Sequence, residues 1–472
     1  MTRPLKAWLV LTVPVLAGGM VAVKTMYAPC SSCHMVPVDS SGGSDSPTAN
    51  LTLVSVAKPT LPPVQEKQPG DKLAAQLVKS LVDPLGNFGD DKDYLYQKPD
   101  PSLIQDEPLE MEPPRGLPAL FEGVNIPVSN PLTKGRVELG RQLYFDPRLS
   151  KNGTVSCATC HNPETGWTDN QTLSIGIDGQ VGNRNAPTVL NTVYGTTQFW
   201  DGRVATLEAQ CQGPPQNPIE MGDQSYREIV ERLRGIPGYV EQFKKVFGTN
   251  VTLDGIAKAI ASFERVTALS GDSRYDRYQD GDLDALTESE KRGMVLFGLS
   301  LRPDDETEFS RPVERQKAKC TLCHVGANFT DNAFHNLGVG YDTESGTFSD
   351  LGRWLALPIG EKNEDAIGAF KTPTLRDITR TAPYMHDGSE PTLEAVMDLY
   401  NKGGIPNPYL DRDMKPLNLT KEEIADVIAF MKALDGAIIK VEVPQLPPGP
   451  DGKAPDARRA LMTPTKGQEA AE

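Results

Sequence analysis

Histidine is scarce in this chain, with five in 472 residues against seven cysteines and four tryptophans. A zinc site built from paired motifs needs four ligands. Two histidines, His335 and His386, stand outside any repeated cysteine pattern and in unrelated contexts, which argues against such a site. Positive charge is short as well. Lys and Arg number 48 against 63 Asp and Glu, so the net charge is −15 and the pI about 5.0. That disfavours nucleic acid and anionic membrane surfaces as partners and suits a basic partner protein. Period-two alternation is nearly missing, so the fold class is mainly α. There is one long apolar run, Ala7 to Val23, preceded by Arg3 and Lys6. It is at the short end for a membrane span and near the long end for a signal-peptide core. Residues 1–28 are read as an uncleaved signal anchor with everything after Val23 outside. That places the rest of the protein on the exported side of a membrane, anchored there or free if the segment is cleaved.

Six of the seven cysteines fall in three identical patterns: Cys30-Ser-Ser-Cys33-His34, Cys157-Ala-Thr-Cys160-His161 and Cys320-Thr-Leu-Cys323-His324. The spacing is that of c-type haem attachment. Two thiols add across the two vinyl groups of haem, and the adjacent imidazole reaches the iron from the same side. A disulfide is the bland alternative. Two covalent haems are expected at Cys157/Cys160/His161 and Cys320/Cys323/His324. A third is expected at Cys30/Cys33/His34, although no domain follows that motif to cover it. Cys211 is the odd cysteine and is expected to be a buried free thiol.

Residues 29–115 read as a Pro/Ser-rich disordered tether, because the segment cannot bury enough apolar surface to order itself. Only 71–82 has a helical pattern, with Leu73, Leu77 and Leu81 on one face. The stretch 443–472 reads as a disordered tail. Between them lie two units, 116–282 and 283–442. Each opens with a helical pattern leading to its motif (131–145 and 287–299) and ends in an amphipathic one (253–269 and 420–434), an internal duplication in outline. Thr420 followed by Glu423 is a capping box for the last helix.

The stretch 116–440 resembles the bacterial dihaem cytochrome c peroxidases and their MauG-type relatives. The matching strings are RNAPTVLNTVY (184–194), QFWDGR (198–203), Gln210 through Gly213-Pro214 to Asn217-Pro218-Ile219-Glu220-Met221, and FKTPTLRDITRTAPYMHDG (370–388). The resemblance implies two cytochrome-c-like domains with the haems near a shared interface. The N-terminal haem would react with hydrogen peroxide, the C-terminal haem would store and relay electrons, and one calcium ion would sit between them.

Site residues follow from the same resemblance. His161 would be the proximal ligand of the reacting haem. In many relatives a histidine in the following loop blocks the opposite face of the resting iron. The matching place here, Ser174-Ile175-Gly176-Ile177, carries an isoleucine, and no histidine lies between 162 and 323. That haem is therefore expected to be open without reductive activation. Glu220 would move the proton that O–O heterolysis requires, with Gln210 beside it and Pro214 shaping the pocket. Trp200 would carry electrons or holes between the haems, and Phe199 would be packing. His324 would hold the second haem. Where the peroxidases proper place a methionine as its other ligand, this chain has Tyr400, as MauG-type proteins do; Met397, one turn earlier, is the alternative. Phenolate ligation lowers the potential and with an open first haem suggests a bis-Fe(IV) type of intermediate. Calcium would use the Asn185 side chain and the carbonyls of Thr381 and Pro383. His335 and His386 are expected to support the second haem's surroundings. Arg353, Lys371 and Arg376 are read either as propionate partners or as surface residues.

The leading expectation is an oxidoreductase of the cytochrome-c peroxidase type. Its electrons would come from a small donor protein or a membrane quinol, and a homodimer is an open option. The alternatives are a non-catalytic multihaem electron carrier and a MauG-type maturase oxidising a protein tryptophan.

Overall fold

The computed structural model describes residues 92–222, 224–305 and 317–462. The anchor 1–28, the motif Cys30/Cys33/His34 and the helical pattern at 71–82 lie outside the described residues. No helix among the described residues is long and apolar enough to cross a membrane.

The first half is built on α1 (Lys134–Phe145), α2 (Tyr226–Arg234), α3 (Pro237–Phe247) and α4 (Leu253–Thr267), and the second on α5 (Glu288–Phe297), α6 (Leu393–Lys402) and α7 (Lys421–Lys432). Each half has one dominant crossing, α1 on α4 and α5 on α7. The two crossings use the same device. A Cβ on Gly140 would lie 1.9 Å from the Ala259 carbonyl oxygen, and one on Gly293 would lie 1.9 Å from that of Asp426. Glycine is what lets each helix pair approach this closely. Phe263 and Phe430 occupy the same place beside these glycines, so the duplication read from the sequence is present in the packing. The capping box forms as expected, with Thr420 N donating to Glu423 Oε2 at 2.7 Å and Glu423 N to Thr420 Oγ1 at 3.2 Å.

Two apolar cores result. One gathers Leu139, Leu143, Tyr144, Trp167, Tyr239 and Phe263, and the other Met294, Phe297, Phe329, Met397, Val427 and Phe430. Tyr278 packs in the second core, so that core starts a few residues before the expected boundary at 283. Among the described residues, strand structure is limited to two-residue antiparallel pairs. Ser270–Gly271 pairs with Ala437–Ile438, in register Ser270 to Ile438, and Phe334–His335 pairs with Phe370–Lys371. A third pair joins Tyr341–Asp342 to Thr347–Phe348.

Two expectations fail at the edges. Residues 443–462 are packed rather than a free tail. Leu446, Ala457 and Ala460 are buried in the first core, and their apolar burial offsets the ordering entropy. The end of the expected tether, 92–115, is also fixed. The Tyr94 hydroxyl donates to Glu231 Oε1 at 2.9 Å, its ring lies under the guanidinium of Arg234, and Asp100 N donates to the Gly248 carbonyl at 2.8 Å.

Candidate active site at two haem attachment motifs

The first motif is a single helical turn, Cys157–Cys160, closed at its start by Ser156 and Thr159. His161 N donates to the Cys157 carbonyl at 3.0 Å, and the Tyr144 hydroxyl donates to the His161 carbonyl at 2.8 Å. These bonds fix the histidine's backbone against α1. Its Nδ1 is buried without a hydrogen-bond partner. Burial pushes the imidazole pKa down, against a nearby carboxylate (Asp169) and the backbone of Trp167 and Pro187. A neutral imidazole is what a metal ligand requires. All four thiols of the two described motifs are unpaired, so the disulfide alternative fails.

Ser174 and Glu220 lie close to this turn. The loop 174–177 runs from Cys160 to Glu220, with Ser174 beside the Cys160 thiol and Ile177 N donating to the Glu220 carbonyl at 2.9 Å. A Cβ on Gly176 would lie 2.0 Å from the Ile219 oxygen, so the loop is pressed onto 219–220. The Ile177 side chain is buried in the first core. Asn217 Nδ2 donates to Glu220 Oε1 at 2.7 Å. Burial raises the Glu220 pKa, while Arg203, Asn217 and Arg184 oppose the rise. Arg203 lies 3.3 Å above the Phe199 ring and is tied to Asp201 at 3.0 Å. Gln210 ends the short helix Leu207–Gln210, which Thr206 caps. Pro214 lies in the next turn, and its carbonyl accepts from Asn217 N at 3.0 Å. Cys211 is buried as expected, its thiol directed at the Glu208 carbonyl.

The second motif starts at Lys319 in the left-handed region and turns through Cys320–Leu322. His324 Nδ1 lies 2.9 Å from the Phe329 carbonyl. With the proton on Nδ1, Nε2 is left for iron, an orienting bond typical of metal-bound histidine. Tyr400 sits on the last turn of α6. Burial, and after it the nearby Cys323 and Cys320 thiols, push its pKa well above the ordinary phenol value, so the side chain faces this motif. Met397 is instead 3% exposed within the second core. Cys323, Asp331 and His335 also converge closely enough to suggest a metal. A cysteine consumed in a thioether offers no thiolate, so the cluster is not a separate site. His335 is held between Asp411 (2.7 Å) and Asp331 (3.0 Å). Its pKa is raised, by the free Cys323 thiol first and then by those carboxylates, and with that sulfur taken into a thioether the carboxylates alone hold it up.

The two halves meet along a polar seam that contains Trp200. Its indole Nε1 donates to the Asn185 carbonyl at 2.9 Å, and its own carbonyl accepts from Lys371 N at 2.8 Å. Arg184 bridges Asp201 (2.7 Å) and Asp350 (2.6 Å). Arg353 donates to the carbonyls of Asp201 and Gly202, and Lys371 Nζ to that of Thr197 at 2.6 Å. Arg376 is fully buried and paired through both nitrogens with Asp276 at 2.8 Å. Arg353 and Lys371 are partly buried, and Arg376 is fully occupied by Asp276 and the Ala327 and Gly116 carbonyls. For the calcium set, Asn185 N donates to the His386 carbonyl at 2.8 Å, while its Nδ2 donates to the Gln171 carbonyl at 2.7 Å. Asn170 Nδ2 reaches the carbonyls of Arg380 and Ala382, so the loops around 170–185 and 380–386 adjoin. His386 is stacked on Phe370 at 3.5 Å.

Arg184, Arg203, Asn217 and Asp350 were missed as site residues. Three of them lie inside the strings that carried the resemblance, and that was the available signal. Asp350 has no local pattern to mark it.

The family model for di-haem cytochrome c peroxidase matches residues 134–284. The methylamine utilization protein MauG of Methylorubrum extorquens is 41% identical over 329 residues, 69% of this chain and 85% of that one. The cytochrome c551 peroxidase of Nitrosomonas europaea is 39% identical over 66% of this chain and 83% of its own. Among solved structures, a MauG-like protein associated with microbial copper homeostasis has a TM-score of 0.57 at 34% identity, covering 70% of this chain and 95% of that one. A variant of the diheme peroxidase BthA from Burkholderia thailandensis shares the fold, with a TM-score of 0.54 at 22% identity over 73% of this chain and 99% of its own. The chain belongs to the dihaem cytochrome c peroxidase and MauG family. It is thus an oxidoreductase with two covalent haem c groups.

Proposed function

We propose that this chain reduces hydrogen peroxide at the haem held by Cys157, Cys160 and His161, in the reaction H2O2 + 2 e− + 2 H+ → 2 H2O. The observation that carries the reading is the placement of Glu220 beside the first motif, with Asn217 on one oxygen and opposing burial and cationic effects on its acidity. The two haems supply the redox chemistry. The protein's contribution is to hold a proton and place it. A carboxyl raised by burial and restrained by Arg203 and Arg184 is suited to take the proton from the inner peroxide oxygen and return it to the outer one. Gln210 would donate a hydrogen bond to bound peroxide, and Pro214 would limit the space around it. Ile177 contributes no ligand, so peroxide needs no prior reduction to enter. Trp200, bonded to both halves of the seam, stands where it would carry electrons from the second haem, which His324 and Tyr400 would hold. Bound to that iron as phenolate, Tyr400 would favour its higher oxidation states. Calcium would take the Asn185 side-chain oxygen with the Thr381 and Pro383 carbonyls and tie the adjoining loops together.

The exported-side location, the N-terminal anchor, the third haem at Cys30/Cys33/His34, the donor protein or quinol and a homodimer belong to the same reading. A second reading, MauG-type oxidation of a partner protein, is favoured by Tyr400 facing the second motif. Mixing the oxidised holoprotein with peroxide, without prior reduction, separates an open from a blocked first haem. An immediate spectral change at a high-spin ferric band supports the reading, and a purely low-spin spectrum that needs reduction first removes it.

A further inference from the structure

The two described motifs differ in what covers them. The turn Cys157–Cys160 has its two middle residues, Ala158 and Thr159, buried. The cover is the segment that follows α7. After α7 the chain pairs with Ser270–Gly271, passes Arg141, whose Nη1 donates to the Glu442 carbonyl at 2.6 Å, and buries Leu446. Pro447 then lies against Gly238, where a Cβ would come within 2.6 Å of it. A tight reversal follows, with Gly449 N donating to the Lys453 carbonyl at 2.7 Å. Asp456 caps the turn Ala457–Leu461, which packs on both Cys157–Cys160 and α1, with Ala457 and Ala460 buried in the first core. Small side chains allow that close approach. At the second motif the matching position, Leu322, is 53% exposed, Val325 is 40% exposed, and a Cβ on Gly326 would meet nothing within 4 Å.

In a c-type haem the Cys-x-x-Cys turn overlies the thioether edge. Electron transfer between proteins falls steeply with edge-to-edge distance, so a layer of chain over that turn slows any donor there. We infer that residues 437–462 form an insulating strap that closes the thioether edge of the first haem to outside electron donors, so that electrons reach it only through the second haem. The inference rests on the reading above in taking the first haem as the one that reacts with peroxide. The donor class is a reduced one-electron protein, two of which supply the two electrons of each turnover. A donor that reduced the first haem directly would bypass the seam at Trp200.

The test uses the haem-loaded full chain, a chain ending at Ile439, and the full chain carrying Ala460→Asp, which forces a charge into the buried contact. Ala460→Asp carries the test alone if the shortened chain does not fold. Hydrogen exchange at 157–160 confirms that the strap has lifted. Each protein is mixed anaerobically, without peroxide, with a reduced basic one-electron protein whose potential lies below that of both haems, and the two haems are followed separately. In the parent, the first haem should be reduced at a rate independent of donor concentration, after the second. In the lifted variants a phase first-order in donor should appear at the first haem, at least tenfold faster than any such phase in the parent. A donor-dependent phase already present in the parent, or none in a lifted variant, overturns the inference. The haem at which peroxide reacts is measured separately, so failure of the functional reading leaves this result distinguishable.

Discussion

Arg184→Met removes the cation that ties Asp201 of the first half to Asp350 of the second. The guanidinium makes three charge-assisted bonds, Nε to Asp350 Oδ2 at 2.6 Å, Nη2 to Asp350 Oδ1 at 3.0 Å and Nη1 to Asp201 Oδ2 at 2.7 Å. All three side chains are largely buried. Asp201 keeps Arg203, but Asp350 keeps only the Gly352 amide at 2.9 Å. Removing one partner of a buried pair costs about 3–5 kcal/mol, because the other charge is stranded. At about 2–4 °C per kcal/mol this predicts a fall in Tm of about 6–20 °C at pH 7. The pH dependence has a definite sign. Burial pushes the Asp350 pKa up, but its bonds to Arg184 more than offset this and hold it below 3.8. A depressed carboxyl contributes stability above its unfolded pKa and loses it as pH falls through the folded one. The gap between parent and variant should therefore narrow as pH falls from 7 toward 4, because burial lifts the pKa of the stranded Asp350 above its ordinary value and it takes up a proton there. Calorimetry at pH 7 and pH 4 makes the comparison. A fall under about 2 °C at pH 7, or a gap that widens at pH 4, would refute the reasoning.

Two other substitutions have definite outcomes. Tyr400→Phe should alter the absorption spectrum of the second haem, whereas Met397→Leu should leave it as it is; the reverse pattern assigns the ligand to Met397. Glu264 is buried with Oε2 unpartnered, and burial pushes its pKa from 4.5 up to about 8. The folded state thus holds a proton that the unfolded chain releases between those values, so stability falls as pH rises from about 4.5 to 8. Glu264→Gln keeps the shape and removes that slope. Its stability should match the parent near pH 5 and exceed it near pH 8 by an amount on the order of a few kcal/mol, and parallel unfolding profiles at the two pH values would contradict this.

Local pattern made the covalent chemistry legible. Cys-x-x-Cys-His is a contiguous demand of one cofactor, and the helices at 134–145 and 421–432 announce themselves through caps and spacing. The placement of Ile177 against Glu220 was partly legible, because Glu220 lies in a string that carried the resemblance and Ile177 stands where relatives carry a blocking histidine. The seam was not. Arg184 and Asp350 are 166 residues apart and meet only after both halves have folded. The segment 443–462 misled for a related reason. Its prolines and small residues look unable to form a core, and they do not form one. They complete a core assembled elsewhere, where Ala457 and Ala460 fit because they are small. Helices α2 and α3 were likewise passed over, although Ser225 with Glu228 is a capping box of the kind recognised at Thr420.

The central claim is that peroxide reacts at the Cys157/Cys160/His161 haem with Glu220 moving the proton. Glu220→Gln tests it most directly, since it keeps the size and the Asn217 neighbour while removing the acid. Intact mass should confirm two haem additions at the described motifs in both proteins, and the resting spectra should coincide. The second-order rate of the peroxide reaction, measured by stopped flow, should then fall by about 10²–10⁴. An unchanged rate in a variant with full haem content would contradict the account.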